Sequence, residues 1–231
     1  MESKRVLGDS PIDFTEGRRQ EPSTLEVTPS VKLRVIASYI ILSLLSAYVI
    51  YDYRIRPDCI CRPRPYVFAI SSFGLTGLYG LTGILNRSFS KVTWLSEVME
   101  GMEVMIFSGV LPHLSAEIWI INSFIPEKPF IPYILQISGY PAVSYYYFFH
   151  KTLPILTEIT IVILSLTAFL YMFLKKKAIH LMGAAAFMYV AYFTKLRFYK
   201  LPLPLECRMT RQETINYALS ACILCASISM I

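Results

Sequence analysis

His113 and Glu117 stand four positions apart in GVLPHLSAEIW, a stretch that is otherwise almost wholly apolar. On a helix that spacing is one turn, so the imidazole and the carboxylate share a face. Glu158 lies near the start of another apolar run, and Gln136 and Asn216 add neutral polar groups elsewhere. A charge at the centre of a bilayer costs roughly 2.5–3.5 kcal/mol on insertion scales, so such groups turn toward a protein interior, a partner or a watery cavity. The simplest arrangement points His113, Glu117, Glu158, Gln136 and Asn216 into one interior pocket, with Trp119 beside them. Burial disfavours the charged form of either kind of group, and such a pair can pass a proton near neutral pH. The competing reading is structural: His113 and Glu117 bond each other and a neighbouring helix, and fix the packing. One histidine and two glutamates form a poor metal set, because His150 and His180 fall near the ends of apolar runs. No metal and no cofactor is expected.

The elements that carry these groups are set by composition. The chain has 231 residues, 55% of them hydrophobic and 16% charged. A soluble domain of this size does not hide that much apolar surface. The excess gathers in runs about as long as a bilayer is thick, roughly 20 residues. The expected fold is all-α, a polytopic transmembrane helix bundle with seven spans. They fall at about 35–51, 66–85, 101–124, 130–149, 153–174, 178–194 and 214–231, inside one helical domain of residues 31–231. Six spans result if 130–149 is re-entrant or interfacial. Residues 1–30 are polar and lack an apolar period, so they are expected to be a disordered tail without a cleavable signal. Ser96, Glu97, Glu100 and Glu103 are expected to open the third span, with acids in its first turn suiting the helix dipole. Pro112 predicts a kink there. In GLTGLYGLTG, Gly74, Gly77, Gly80 and Gly83 recur at every third place, a stripe through which helices approach closely in lipid.

The formal charge of +6 resides in short basic segments between the runs. A nucleic-acid reader would instead carry a basic patch on a polar domain, so that class is excluded. The expected partners are the lipid bilayer, a sterol-like or other apolar ligand, and other membrane proteins. The balance of Lys and Arg between alternate loops favours a cytosolic N-terminus, in an endomembrane of the endoplasmic reticulum or Golgi. Cys59 and Cys61, next to Arg62 and Arg64, are candidates for lipidation. Cys222 and Cys225 lie in an apolar run and read as packing residues.

The segment HLSAEIW resembles the second-helix motif of the emopamil-binding, or sterol Δ8–Δ7 isomerase, family. That motif has a His, a Glu four later and an aromatic two after that, matched here by His113, Glu117 and Trp119. The family's further Glu on the next helix is matched by Glu158, 41 positions on. Asn216 stands for an Asn of the family's final helix, while Leu219 occupies the place of its Trp. The family has five helices, fewer than are counted here. The resemblance implies that Glu117 or His113 donates a proton to a double bond and another acid accepts one. Carboxylates would stabilise the carbocation. From Tyr66 to Tyr199 the chain also resembles the uncharacterised transmembrane protein 187 family. The shared features are a small-rich second span, a Pro-containing helix, the GYPAVSYYY helix and an acidic residue opening the next span. That likeness implies a multi-span protein without a known reaction. The first expected function is therefore a non-enzymatic packing or binding protein for an apolar ligand or membrane partner. The alternatives are a sterol-isomerase-like enzyme and a proton-coupled transporter, although no internal repeat is visible for the last.

Overall fold

The computed structural model describes residues 29–55, 67–89, 92–122, 134, 137–149, 155–176, 179–196 and 209–229. Every regular element among them is helical. They are α1 (Pro29–Ile55), α2 (Val67–Ser88), α3 (Thr93–Met105), a π turn (Ile106–Val110), α4 (Leu111–Asn122), α5 (Tyr140–Phe149), α6 (Ile155–Lys176), α7 (Ile179–Leu196) and α8 (Arg211–Ser229). The segment α3–π–α4 is continuous, so the described helices make seven rods. The expected tail lies outside the described residues apart from Pro29 and Ser30, and so do Cys59, Cys61 and Gln136. Pro29 opens α1, a place where its missing N–H has no helical partner to lose.

Two helices are long and apolar enough to cross a membrane, Pro29–Tyr53 and Phe68–Ser88, with mean hydropathy 2.0 and 1.4. A shorter apolar stretch, Ile159–Lys175, lies within α6. The rods alternate in direction, and the end that holds Pro29 is called the lower end below. Six of them form a ring. α1 packs on α2, α2 on the α3–α4 rod, α4 on α6, α6 on α7, α7 on α8, and α8 back on α1. α5 stands outside this ring, against α3 and the π turn. Its displacement leaves α4 and α6 as parallel neighbours, joined by Ser115 Oγ donating to the Ser165 carbonyl at 3.3 Å. The interior is filled by side chains, among them Leu42, Phe73, Tyr79, Phe107, Leu114, Ile118, Phe169 and Tyr192.

Small residues let α1 and α2 touch. A Cβ on Gly80 would collide with Ser43 Oγ and lie 2.9 Å from the Tyr39 carbonyl; one on Gly83 would collide with the Tyr39 ring. Gly77 is also close, 3.3 Å from Ser46 Cβ, but a Cβ on Gly74 meets nothing within 4 Å. The stripe is therefore a contact over its last three members. The reason is helical drift: a three-residue spacing rotates about 60° each turn short of a full circle, so Gly74 has left the face that meets α1.

The third rod differs most from expectation. It begins at Thr93 rather than near 101, and no acid lies in its first turn. Its buried face already starts at Leu95 and Met99, so the apolar period extends the helix past the polar residues between them. Glu97, Glu100 and Glu103 thus lie inside the helix instead of answering its dipole. Pro112 also acts differently from a simple kink. Without an N–H it gives no bond to the Ser108 carbonyl one turn earlier, and the backbone just before it takes the wider π register. Side chains collect carbonyls of that turn. His113 Nδ1 bonds the Gly109 oxygen at 2.6 Å, and Ser72 Oγ donates to the Val110 oxygen at 3.4 Å. Gly139 sits directly on the Ser108 carbonyl, leaving no room for a Cβ. The glycine is what allows the start of α5 to settle against the π turn.

Candidate functional site

His113 lies on α4 where it meets Tyr140 of α5 and the first turn of α2. A carbonyl only accepts, so His113 Nδ1 carries the proton given to Gly109. Nε2 lies 3.2 Å from the Tyr140 hydroxyl, which donates to it when the ring is neutral. The Tyr140 and Phe68 rings meet the imidazole edge-on, with centroids 5.5 and 5.9 Å away.

Glu117 is only 5% exposed. Its Oε2 accepts the Phe68 N–H at 3.1 Å, and the Ala69 amide lies in reach of the same carboxylate. These amides belong to the first turn of α2, whose donors have no partner within their own helix. Glu117 is thus a cap for α2 supplied by α4, placed at the positive end of the helix dipole. Among the described hydrogen bonds none joins His113 to Glu117. The two meet through Phe68, one at its ring and the other at its N–H.

The other expected pocket residues go elsewhere. Trp119 stacks on Tyr171 of α6, centroids 5.1 Å apart and planes 21° apart. Glu158 falls in α6, with its side chain outside the described residues. Asn216 is fully buried but lies near the start of α8, at the lower end. Chain direction explains the separation. α8 runs parallel to the third rod, so its first turns face the start of that rod rather than its far half.

At the lower end the structure gathers a different set of polar side chains, centred on the first turns of α8. Thr210 and Glu213 form a reciprocal cap: Glu213 Oε2 accepts the Thr210 N–H at 2.6 Å, and Thr210 Oγ1 accepts the Glu213 N–H at 3.2 Å. Glu213, 2% exposed, also places Oε1 3.4 Å from Arg34 Nε on α1. Arg211 donates to the Thr194 carbonyl at 3.1 Å and to that of Lys195, putting a cation at the negative end of α7. Gln212 Nε2 donates to Tyr79 Oη of α2 at 2.7 Å, and Asn216 Nδ2 to Ser38 Oγ of α1 at 2.9 Å. Glu103 of α3 lies within electrostatic reach of Lys195 and Arg211, and Lys195 Nζ sits 4.9 Å above the Phe107 ring.

Comparison with known family models, curated proteins and solved structures finds no match.

The site is therefore judged on geometry. The upper set, His113 and Glu117, satisfies backbone at a π turn and a helix start. The lower set ties α8 to α1, α2 and α7 within two turns. Among the described residues, no three or more His, Cys, Asp or Glu side chains gather as a metal would need. The lower set had one legible signal, the T-x-x-E pattern of Thr210-Arg211-Gln212-Glu213 ahead of an apolar run. It starts the last helix at 211, ahead of the 214 that hydropathy alone suggests. Removing either half of this cap, as Thr210→Ala or Glu213→Ala, is expected to cost about 1–2 kcal/mol. Thermal denaturation in detergent checks it. The double substitution should cost less than the two single losses added, because they break one shared unit.

Proposed function

We propose that the chain is a multi-pass membrane protein that acts by binding, not by catalysis. The six ring rods cross the bilayer, and α5 packs on their outside. The observation that carries this reading is the segregation of side chains on the rods. Leu33, Ile40 and Leu44 of α1, Leu78, Leu81 and Leu85 of α2, and Ile163, Leu170 and Leu174 of α6 face outward, while Glu117, Glu213, Asn216 and eight buried serines on the same ring point in. An apolar exterior on three rods is a liability in water and what hydrocarbon requires. Binding is favoured over catalysis because Glu117 and His113 are already engaged by backbone groups and Tyr140. The ligand class is apolar, a sterol-like molecule or a membrane partner, and the residence is an endomembrane with the N-terminus cytosolic.

The HLSAEIW motif supports a second reading, a sterol-isomerase-like enzyme. In it, Glu117 would leave the α2 cap to meet substrate. One experiment tests the membrane setting and a second separates the two readings. The protein should resist extraction by alkaline carbonate, and release into the supernatant would sink the membrane reading. It should fail to rescue a cell deficient in sterol isomerase. Rescue that is lost in Glu117→Gln would replace binding with catalysis.

A further inference from the structure

A groove of about 590 Å³ opens between α3 and α5, near the lower end. It is lined by Glu97, Glu100, Gly101, Met102, Tyr146 and Tyr147, with Val98. None of these residues belongs to either polar set described above. The Tyr146 and Tyr147 rings stand 5.8 Å apart at 84°, so they form a corner rather than a stack. Gly101 makes that corner possible. A Cβ there would press on Tyr146 Cε1 at 3.3 Å and on Tyr147 Oη at 3.4 Å. Tyr147 Oη is turned toward Met105 Sδ, 3.9 Å away.

We propose that this groove binds a quaternary ammonium group, seated in the Tyr146–Tyr147 corner with the Glu97 carboxylate beside it. The proposal deepens the binding reading above by naming a ligand chemistry, and it rests on that reading for the protein's setting. Aromatic corners attract cations through the negative faces of the rings. A trimethylammonium gains most, because it gives up little hydration on leaving water and its methyl groups pack against the rings. The carboxylate neutralises its charge. A bare metal ion would find few ligands here, and an anion would meet two acids. The groove has the size of a small-molecule pocket, so it holds more than the headgroup itself. Trp94, 59% exposed, lies one helical turn before Val98 on the same helix. An exposed aromatic there suits the headgroup layer. The ammonium therefore has two sources, the choline headgroup of a bilayer lipid or a free choline ester.

Trp94 also supplies the readout. Trp119→Phe leaves it as the single tryptophan of the chain. The full-length variant in detergent is titrated with tetramethylammonium chloride against sodium chloride of equal ionic strength. The expected result is a saturable change in Trp94 emission with the organic cation alone. Tyr147→Leu and Glu97→Gln replace side chains at the surface, and each should weaken the apparent affinity about five-fold or more. No saturable change in the parent protein, or an affinity unchanged from the parent in both variants, would overturn the proposal. Equal responses to ammonium and tetramethylammonium would overturn it as well. Soluble phosphocholine and phosphatidylcholine nanodiscs, the latter against phosphatidylglycerol nanodiscs, then tell the two sources apart. A positive result with either supports the site. The carbonate extraction above reports on membrane residence alone, so failure there and failure here are distinguishable.

Discussion

Replacing Gly80 with valine is expected to force α1 and α2 apart and to cost about 2–3 kcal/mol. The new Cβ would occupy the place of Ser43 Oγ and lie 2.9 Å from the Tyr39 carbonyl. The first obstacle is a short side chain and the second is backbone, so rotation of one flexible group does not relieve the clash. Overpacking of a close contact typically costs 1–3 kcal/mol. The upper part of that range applies because the same approach also carries the Ser43 Oγ bond to the Gly77 carbonyl at 3.2 Å, which is lost as the helices separate. Gly74→Ala is the matched control, since its Cβ meets nothing within 4 Å. It should be neutral or stabilise by up to about 1 kcal/mol through helix propensity. Thermal denaturation of both purified variants in one detergent makes the comparison. Equal losses would show that the stripe is not a contact surface for α1.

Glu117→Leu is expected to cost about 1–3 kcal/mol, and Glu117→Gln less than about 1 kcal/mol. Leucine leaves the Phe68 amide without an acceptor in the interior, and a buried donor left unmade costs roughly 1–3 kcal/mol. Glutamine keeps a carbonyl oxygen on a side chain of the same length, so the first turn of α2 stays capped. Helix capping needs an acceptor and not a charge. Proton transfer needs an ionisable group, which glutamine lacks. The contrast thus bears on function as well as on stability. Unfolding curves in which both substitutions are equally harmful, or both harmless, would remove the capping role. Hydrogen exchange at residues 67–71 localises the effect, with faster exchange expected in the leucine variant alone.

Helicity and the approximate places of most rods are legible in the composition and in the length of the apolar runs. The start of the third rod is not. Hydropathy falls at Glu97, Glu100 and Glu103, although Leu95 and Met99 already lie on the buried face. A window average cannot separate a polar face from a polar loop. For α8 the capping box was readable at Thr210, yet its reach to Arg34, Ser38 and Tyr79 depends on three-dimensional neighbours. The polar residues of α4 were legible as unusual. Their use was not, because the amides that Glu117 accepts are backbone groups with no signature in the sequence. Asn216 stood out for the same reason as Glu117, but direction along the rod places it at the lower end. Sequence spacing within one helix locates a face. It does not say which end of a neighbouring helix lies opposite.

The closed ring has a consequence for biosynthesis. A ribosome delivers the rods in order, and the partners of early residues arrive late. Gln212, which meets Tyr79, follows it by 133 positions, and Asn216 follows Ser38 by 178. Tyr53 waits for the Ser227 carbonyl, 174 residues downstream. Until α8 emerges, the nascent molecule is an open horseshoe with polar side chains of α1 along one rim. A transcript cut short before Arg211 would yield that horseshoe permanently, a ready client for the cell's chaperones and degradation machinery.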